Sequence, residues 1–204
     1  MTSLTASLDA QIDAYVAAGY PEMAGIPEAE FRGLFAGLAI PADADGQIPA
    51  LAVVTDQVIP PERRIPSLRL PGSTREGILD KNHGEQGLEP YKPTSAVEIP
   101  DAPVYLLLGI DRGDEFRNER PLDALGVIEQ RGRTPLTIDE GLSLQTVFPE
   151  LLVKNHCFML MGSSRGDKRV PALWISEKAP KLGWCYDRNP HTWLGIASAA
   201  GRVS

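Results

Sequence analysis

The sequence predicts an α+β fold: an N-terminal helical hairpin, a proline-rich irregular region, then a mainly antiparallel sheet flanked by helices. Three observations carry this. Two early stretches place apolar residues at helical spacing. Residues 41–103 hold ten of the 18 prolines, which disfavour long helices and central strands. The last third holds three short apolar runs separated by turn-rich spans, the pattern of an antiparallel meander. One domain is expected over 1–204, divided into 1–40, 41–103 and 104–204.

In the first helix, Leu4, Leu8, Ile12, Tyr15 and Val16 share a face, and Gly19 is its stop. Pro27 then suits a first helical position, with Glu28 and Glu30 favouring a helix start. Phe31, Leu34, Phe35 and Leu38 supply the buried side of this second helix. Within the proline-rich region, 50–54 reads as a short strand and 67–70 as an edge strand. Residues 81–92, with His83 among charges, read as an exposed loop.

Residues 104–110 form a continuous apolar run, the clearest buried strand. A helix over 121–131 has Leu122, Leu125 and Ile128 on one face and Gly132 as its stop. Thr137 and Glu140 have the spacing of a capping box, opening a helix to about Phe148. The meander runs through 157–162, 170–176 and 182–187. Hairpins centred on Gly166 and Ala179 set Trp174 opposite Trp184. Phe158, Leu160, Trp174, Trp184 and Tyr186 then share one face. Cys157, Met159, Met161, Leu173, Ile175 and Cys185 share the other. Asn189-Pro190-His191 reads as the start of a final helix that ends at Gly201.

The net charge of −7 and the absence of a basic run argue against nucleic acid as a partner. No apolar run approaches the ~20 residues a membrane helix needs, so no membrane partner is expected. Met1–Asp9 lacks the basic start and apolar core of a signal peptide. Cys157 and Cys185 read as reduced thiols in a cytoplasmic protein.

Three blocks carry a resemblance. They are Gly132-Arg133-Thr134-Pro135-Leu136-Thr137-Ile138-Asp139-Glu140-Gly141, then Arg165-Gly166-Asp167-Lys168-Arg169-Val170-Pro171-Ala172-Leu173-Trp174-Ile175-Ser176, then Leu182-Gly183-Trp184-Cys185 with Asn189-Pro190-His191-Thr192-Trp193-Leu194-Gly195. Together they resemble an uncharacterised family of bacterial proteins, a domain of unknown function. The resemblance implies a bacterial cytosolic protein and one intact domain. It transfers no catalytic residue.

Four constellations are candidates for chemistry. Cys185, Asp187, Asn189 and His191 alternate between a strand end and the expected helix start. His191 would serve as a general base oriented by Asp187, and a helix N-terminus would lower the pKa of a Cys185 thiol. The plainer reading makes Asn189 a cap, Asp187 a complement to the helix dipole and His191 a surface residue. Residues 162–167 offer two glycines, two serines and Arg165 as a phosphate nest, or equally a hairpin turn. His83, His156, His191, Cys157 and Cys185 lack zinc-ligand spacing, and Asp111 with Asp114 reads as a turn, so no metal is expected. Trp174, Trp184 and Trp193 line either a ligand pocket or the core.

No cofactor motif is present, and none is expected. The leading expectation is a cytosolic binding or accessory protein that recognises a small molecule or a protein partner. Its ligand-binding residues would be Trp174, Trp184, Trp193, Arg165 and Asn189. The alternative is a small cofactor-independent enzyme using His191 with Asp187 or Cys185. Self-association through an apolar surface is a third reading.

Overall fold

The computed structural model describes residues 4–204. The signal-peptide reading falls partly on Met1–Ser3, outside the described residues. The chain runs through α1 (Leu8–Ala17), α2 (Tyr20–Ala24), α3 (Glu28–Gly33), β1 (Ile48–Val54), α4 (Pro61–Arg64), β2 (Ile78–Leu79), β3 (Lys92–Pro93) and β4 (Val104–Ile110). It continues through α5 (Pro121–Gln130), β5 (Thr134–Pro135), α6 (Ile138–Val147), β6 (Cys157–Met159), β7 (Ser163–Ser164), β8 (Arg169–Ser176), β9 (Ala179–Tyr186), β10 (Leu194–Ile196), β11 (Ser198–Ala199) and β12 (Gly201–Val203). The fold is α+β, as the sequence predicts.

The N-terminal segment is three short helices rather than a two-helix hairpin. Ser7 caps α1 by accepting from the Ala10 amide. Gly19 and Gly25, with φ +81 and +73, turn the chain on either side of α2. Tyr15, Tyr20, Phe31 and Phe35 are fully buried and pack ring to ring. They meet Ala52, Val54, Val104 and Leu106 on one face of a three-stranded sheet.

That sheet has the order β1-β4-β12, with both neighbours antiparallel to β4. Its other face, including Leu51, Val53, Tyr105 and Leu107, joins the main core. Both faces are covered, which is why 104–110 reads as an unbroken apolar run. The free edge of β1 is satisfied by side chains. Gln11 donates to the Ala50 carbonyl and accepts from the Ala52 amide (3.1 and 2.7 Å). Tyr15 donates to the Ala52 carbonyl. Ser143 accepts from the Val54 amide, and Arg64 donates to the Val54 carbonyl (3.2 and 2.6 Å). These bonds replace a fourth strand and close an edge that would otherwise recruit another chain.

The second sheet has the order β10-β6-β8-β9-β2. Its central pairs β6–β8 and β8–β9 are antiparallel, and β10 and β2 add in parallel at its two edges. Between the sheets lies α6, buried on almost every side. Ser143 faces the first sheet. Gly141 faces the second, and a Cβ there would come within 2.5 Å of Leu160. The expected capping box is present at its start.

Four expectations of local structure need correction. Residues 67–70 are not a strand: Pro66 sits in a 3-10 turn, Ile65–Ser67, and irregular chain follows. Residues 81–92 form a loop that is exposed over much of its length, but His83, Leu88 and Tyr91 turn inward and are buried. The β8–β9 register differs by three residues. The turn is Glu177–Lys178, both at positive φ (53° and 62°), so Trp174 opposes Lys181 and Trp184 opposes Pro171. An odd shift exchanges faces. Trp174 therefore joins Cys157, Met159 and Cys185, while Leu173 and Ile175 join Phe158, Trp184 and Tyr186. Finally, no helix follows Asn189. The chain there adds β10 to β6, β11 to β5 and β12 to β4.

Candidate functional site

The C-terminal residues singled out in the sequence divide between the two faces of the five-stranded sheet. On one face His191 meets Trp193 edge-on (5.5 Å between ring centroids), and Trp193 meets Trp174 at 6.0 Å. The Lys181 ammonium lies 5.9 Å from the Trp174 ring. Trp174 lies against Gly183, where a Cβ would come within 2.0 Å of the indole. Burial lowers the pKa of His191 and pushes the Cys185 thiol up to about 11. A helix N-terminus would have acted in the opposite sense on the thiol, but none forms there.

Asp187 and His191 form no ion pair with each other among the described residues. Instead Asp187 Oδ1 and His191 Nε2 are each buried without a partner. The Asp187 carbonyl accepts from Leu122, and the His191 carbonyl accepts from Asn118 (3.0 and 2.8 Å), so both backbones anchor the segment around α5. Asn189 is exposed and its amide donates to the Tyr186 carbonyl (3.2 Å), which makes it a turn residue rather than a helix cap.

On the opposite face, Trp184 meets Tyr186 edge-on at 5.2 Å, and the Arg169 guanidinium lies 5.3 Å from the Trp184 ring. These three residues line an open surface depression with Gly166, Asp167 and Lys168. Arg165 pairs with Asp167 at 3.3 Å and lies 5.8 Å from the Tyr91 ring. Asp114 is occupied by Arg112 and His156 (2.5 and 3.0 Å), and Asp111 accepts from the Gly113 amide. Among the described residues no group of three or more His, Cys, Asp or Glu side chains is placed to hold a metal.

A partly enclosed cleft lies elsewhere, at the N-terminus of α6, and none of the eight candidate residues lines it. Its volume is about 120 Å³. Thr55, Asp56 and Gln57 from the end of β1 form one wall, and Tyr91 and Pro93 form another. Thr137, Ile138 and Asp139 open α6 into it, beside Ser163 and Tyr105. The Ser163 hydroxyl accepts from the Ile138 amide at 3.0 Å, fixing β7 to the helix start. Asp139 pairs with Arg64 and accepts from the Asp56 amide. Arg64 is fully buried; burial opposes its charge, but Asp139 and the tyrosines beside it hold its pKa above the ordinary value. Behind the cleft, Glu140 accepts from Tyr105 and Arg202.

The sequence marks Thr137 and Glu140 only as a capping box and gives no sign of Arg64 or Tyr91 as site residues. The capping box was the available signal, since it marks where α6 opens. Nothing local shows that residues from the proline-rich region fold over it.

The structure thus defines an α+β protein with two sheets packed about a buried helix and a small polar cleft at that helix's N-terminus. The chain belongs to the family of unknown function DUF5701, whose match covers residues 14–204. No curated protein and no solved structure matches it.

Proposed function

We propose that this is a cytoplasmic, bacterial binding protein that takes a small, donor-bearing molecule, such as a polyol or an amine, in the cleft at the start of α6. The observation that carries the reading is the convergence there of Thr55, Asp56, Thr137, Asp139 and Ser163 on apolar Leu88, Ile99 and Ile138. Few polar groups over an apolar lining is the usual make-up of a ligand site. The polar groups are mainly acceptors or hydroxyls, so they match a ligand rich in donors. At about 120 Å³ the cleft suits a small metabolite rather than a drug-sized molecule. The acidic charge and the lack, among the described residues, of a helix long and apolar enough to cross a membrane support the location.

Thermal unfolding against a panel of polyols, amines and small acids tests the reading, because a ligand of the folded state raises the midpoint. Ile99→Trp places a large ring at the cleft wall. A compound that stabilises the wild type and not this variant supports the proposal. A panel without any stabilising polyol or amine, or stabilisation equal in the variant, contradicts it.

A further inference from the structure

We propose that the cluster of buried His83 and Tyr91 with the partly buried Arg165 is a binding site for a small oxyanion, the carboxylate or phosphate group of a metabolite. The proposal stands on its own observations and does not require the cleft to bind anything. His83 is 3% exposed and Tyr91 7% exposed. The His83 ring nitrogens, the Tyr91 hydroxyl and Nη1 of Arg165 are buried and make no hydrogen bond of good geometry; the nearest groups are the Leu182 backbone for His83 and Arg165 itself for Tyr91. Folded proteins pair almost all such atoms, so several orphans in contact call for an occupant.

The three side chains come from separate segments and are held together by design of the chain. The pairing of Lys92 with Ser164 sets Tyr91, one residue before β3, opposite Arg165, one residue after β7. The guanidinium sits 5.8 Å from the phenol ring. His83, at the end of the Lys81–His83 turn, meets that ring edge-on at 5.6 Å.

The chemistry of the orphans selects the occupant. Arg165 is a permanent cation and only donates. The Tyr91 hydroxyl donates, and a histidine ring offers at least one further N–H. Arg165 and Arg169 share the single carboxylate of Asp167 at 3.3 and 2.6 Å, so positive charge is in excess here. Asp80, beside His83, is already paired with Lys181 at 2.9 Å. A metal cation would face Arg165. An oxyanion would instead accept from all three side chains in charge-assisted bonds.

The test is the unfolding midpoint in inorganic phosphate and in sodium acetate, each against chloride at equal ionic strength. Tyr91→Phe keeps the ring and removes the hydroxyl. Arg165→Gln removes the charge. Either anion should raise the wild-type midpoint by about 2 °C or more near saturation. The rise should be lost in Arg165→Gln and reduced at least severalfold in Tyr91→Phe, and kept in Ile99→Trp. A response to acetate alone assigns a carboxylate, and one to phosphate a phosphoryl group. If neither anion acts on the wild type, or both variants respond fully, the proposal is overturned. Should Arg165→Gln fail to fold, Tyr91→Phe decides.

Discussion

Glu140 and Arg202 form a two-point ion pair, Nε to Oε1 at 2.6 Å and Nη2 to Oε2 at 2.9 Å, with side chains 0% and 4% exposed. The pair ties the start of α6 to β12, and Glu140 also accepts from the Tyr105 hydroxyl and the Thr137 amide. One carboxylate thus fixes two residues of the cleft. Removing one partner of a buried pair leaves a charge without compensation, which costs about 3–5 kcal/mol. Arg202→Leu should lose that much in denaturant unfolding. The double variant with Glu140→Leu should lose less than the sum of the singles. Additive losses would show that the two side chains act independently.

Gln11 serves the otherwise unpaired edge of β1 as a strand would. Gln11→Leu leaves the Ala50 carbonyl and the Ala52 amide without these bonds in a buried place. The expected loss is about 1–3 kcal/mol for each orphaned group. Amide exchange at Ala52 should rise with it. Unchanged exchange there would mean that the edge is protected by other means.

Cys185 should be slow toward thiol reagents. With its pKa pushed up to about 11 by burial, the native protein at pH 8 holds little thiolate. Burial also raises the Cys157 pKa. Disulfide-exchange labelling of the folded protein should proceed roughly 100-fold below the rate in denaturant. Rapid labelling of Cys185 in the fold would revive it as a nucleophile.

Acid should weaken the fold in the histidine range. Burial lowers the pKa of both His83 and His191, so the unfolded chain binds more protons as pH falls. Their stabilisation is full above the unfolded value, about 6.5, and is lost as pH falls through the folded values. Asp80 and Asp114 also have lowered pKa values, but they act only in the carboxylate range. Between pH 7 and 5 in dilute chloride, the wild-type midpoint should drop, and in His83→Gln the drop should be smaller. Identical slopes would remove His83 from the account.

The parts legible in the sequence were those set by local pattern. Val104–Ile110 announces a strand covered on both faces, and Thr137 with Glu140 announces the start of α6. The β8–β9 hairpin was legible but its register was not. Its turn puts Glu177 and Lys178 at positive φ, where Gly, Asn or Asp is the usual mark. The segment after Asn189 has good helix-start chemistry, yet distant strand edges on β6, β5 and β4 claim its backbone. Such non-local pairing overrides local preference. Arg64 and His83 look like surface residues until the proline-rich chain is seen to fold over them.

The most direct test of the cleft is a ¹H–¹⁵N titration of the assigned protein with the polyols and amines of the panel. Binding there predicts saturable shifts concentrated on the amides of Asp56, Gln57, Ile138 and Asp139. Shifts centred instead on Trp174, Trp193 and His191, or none with any of these compounds, would contradict it.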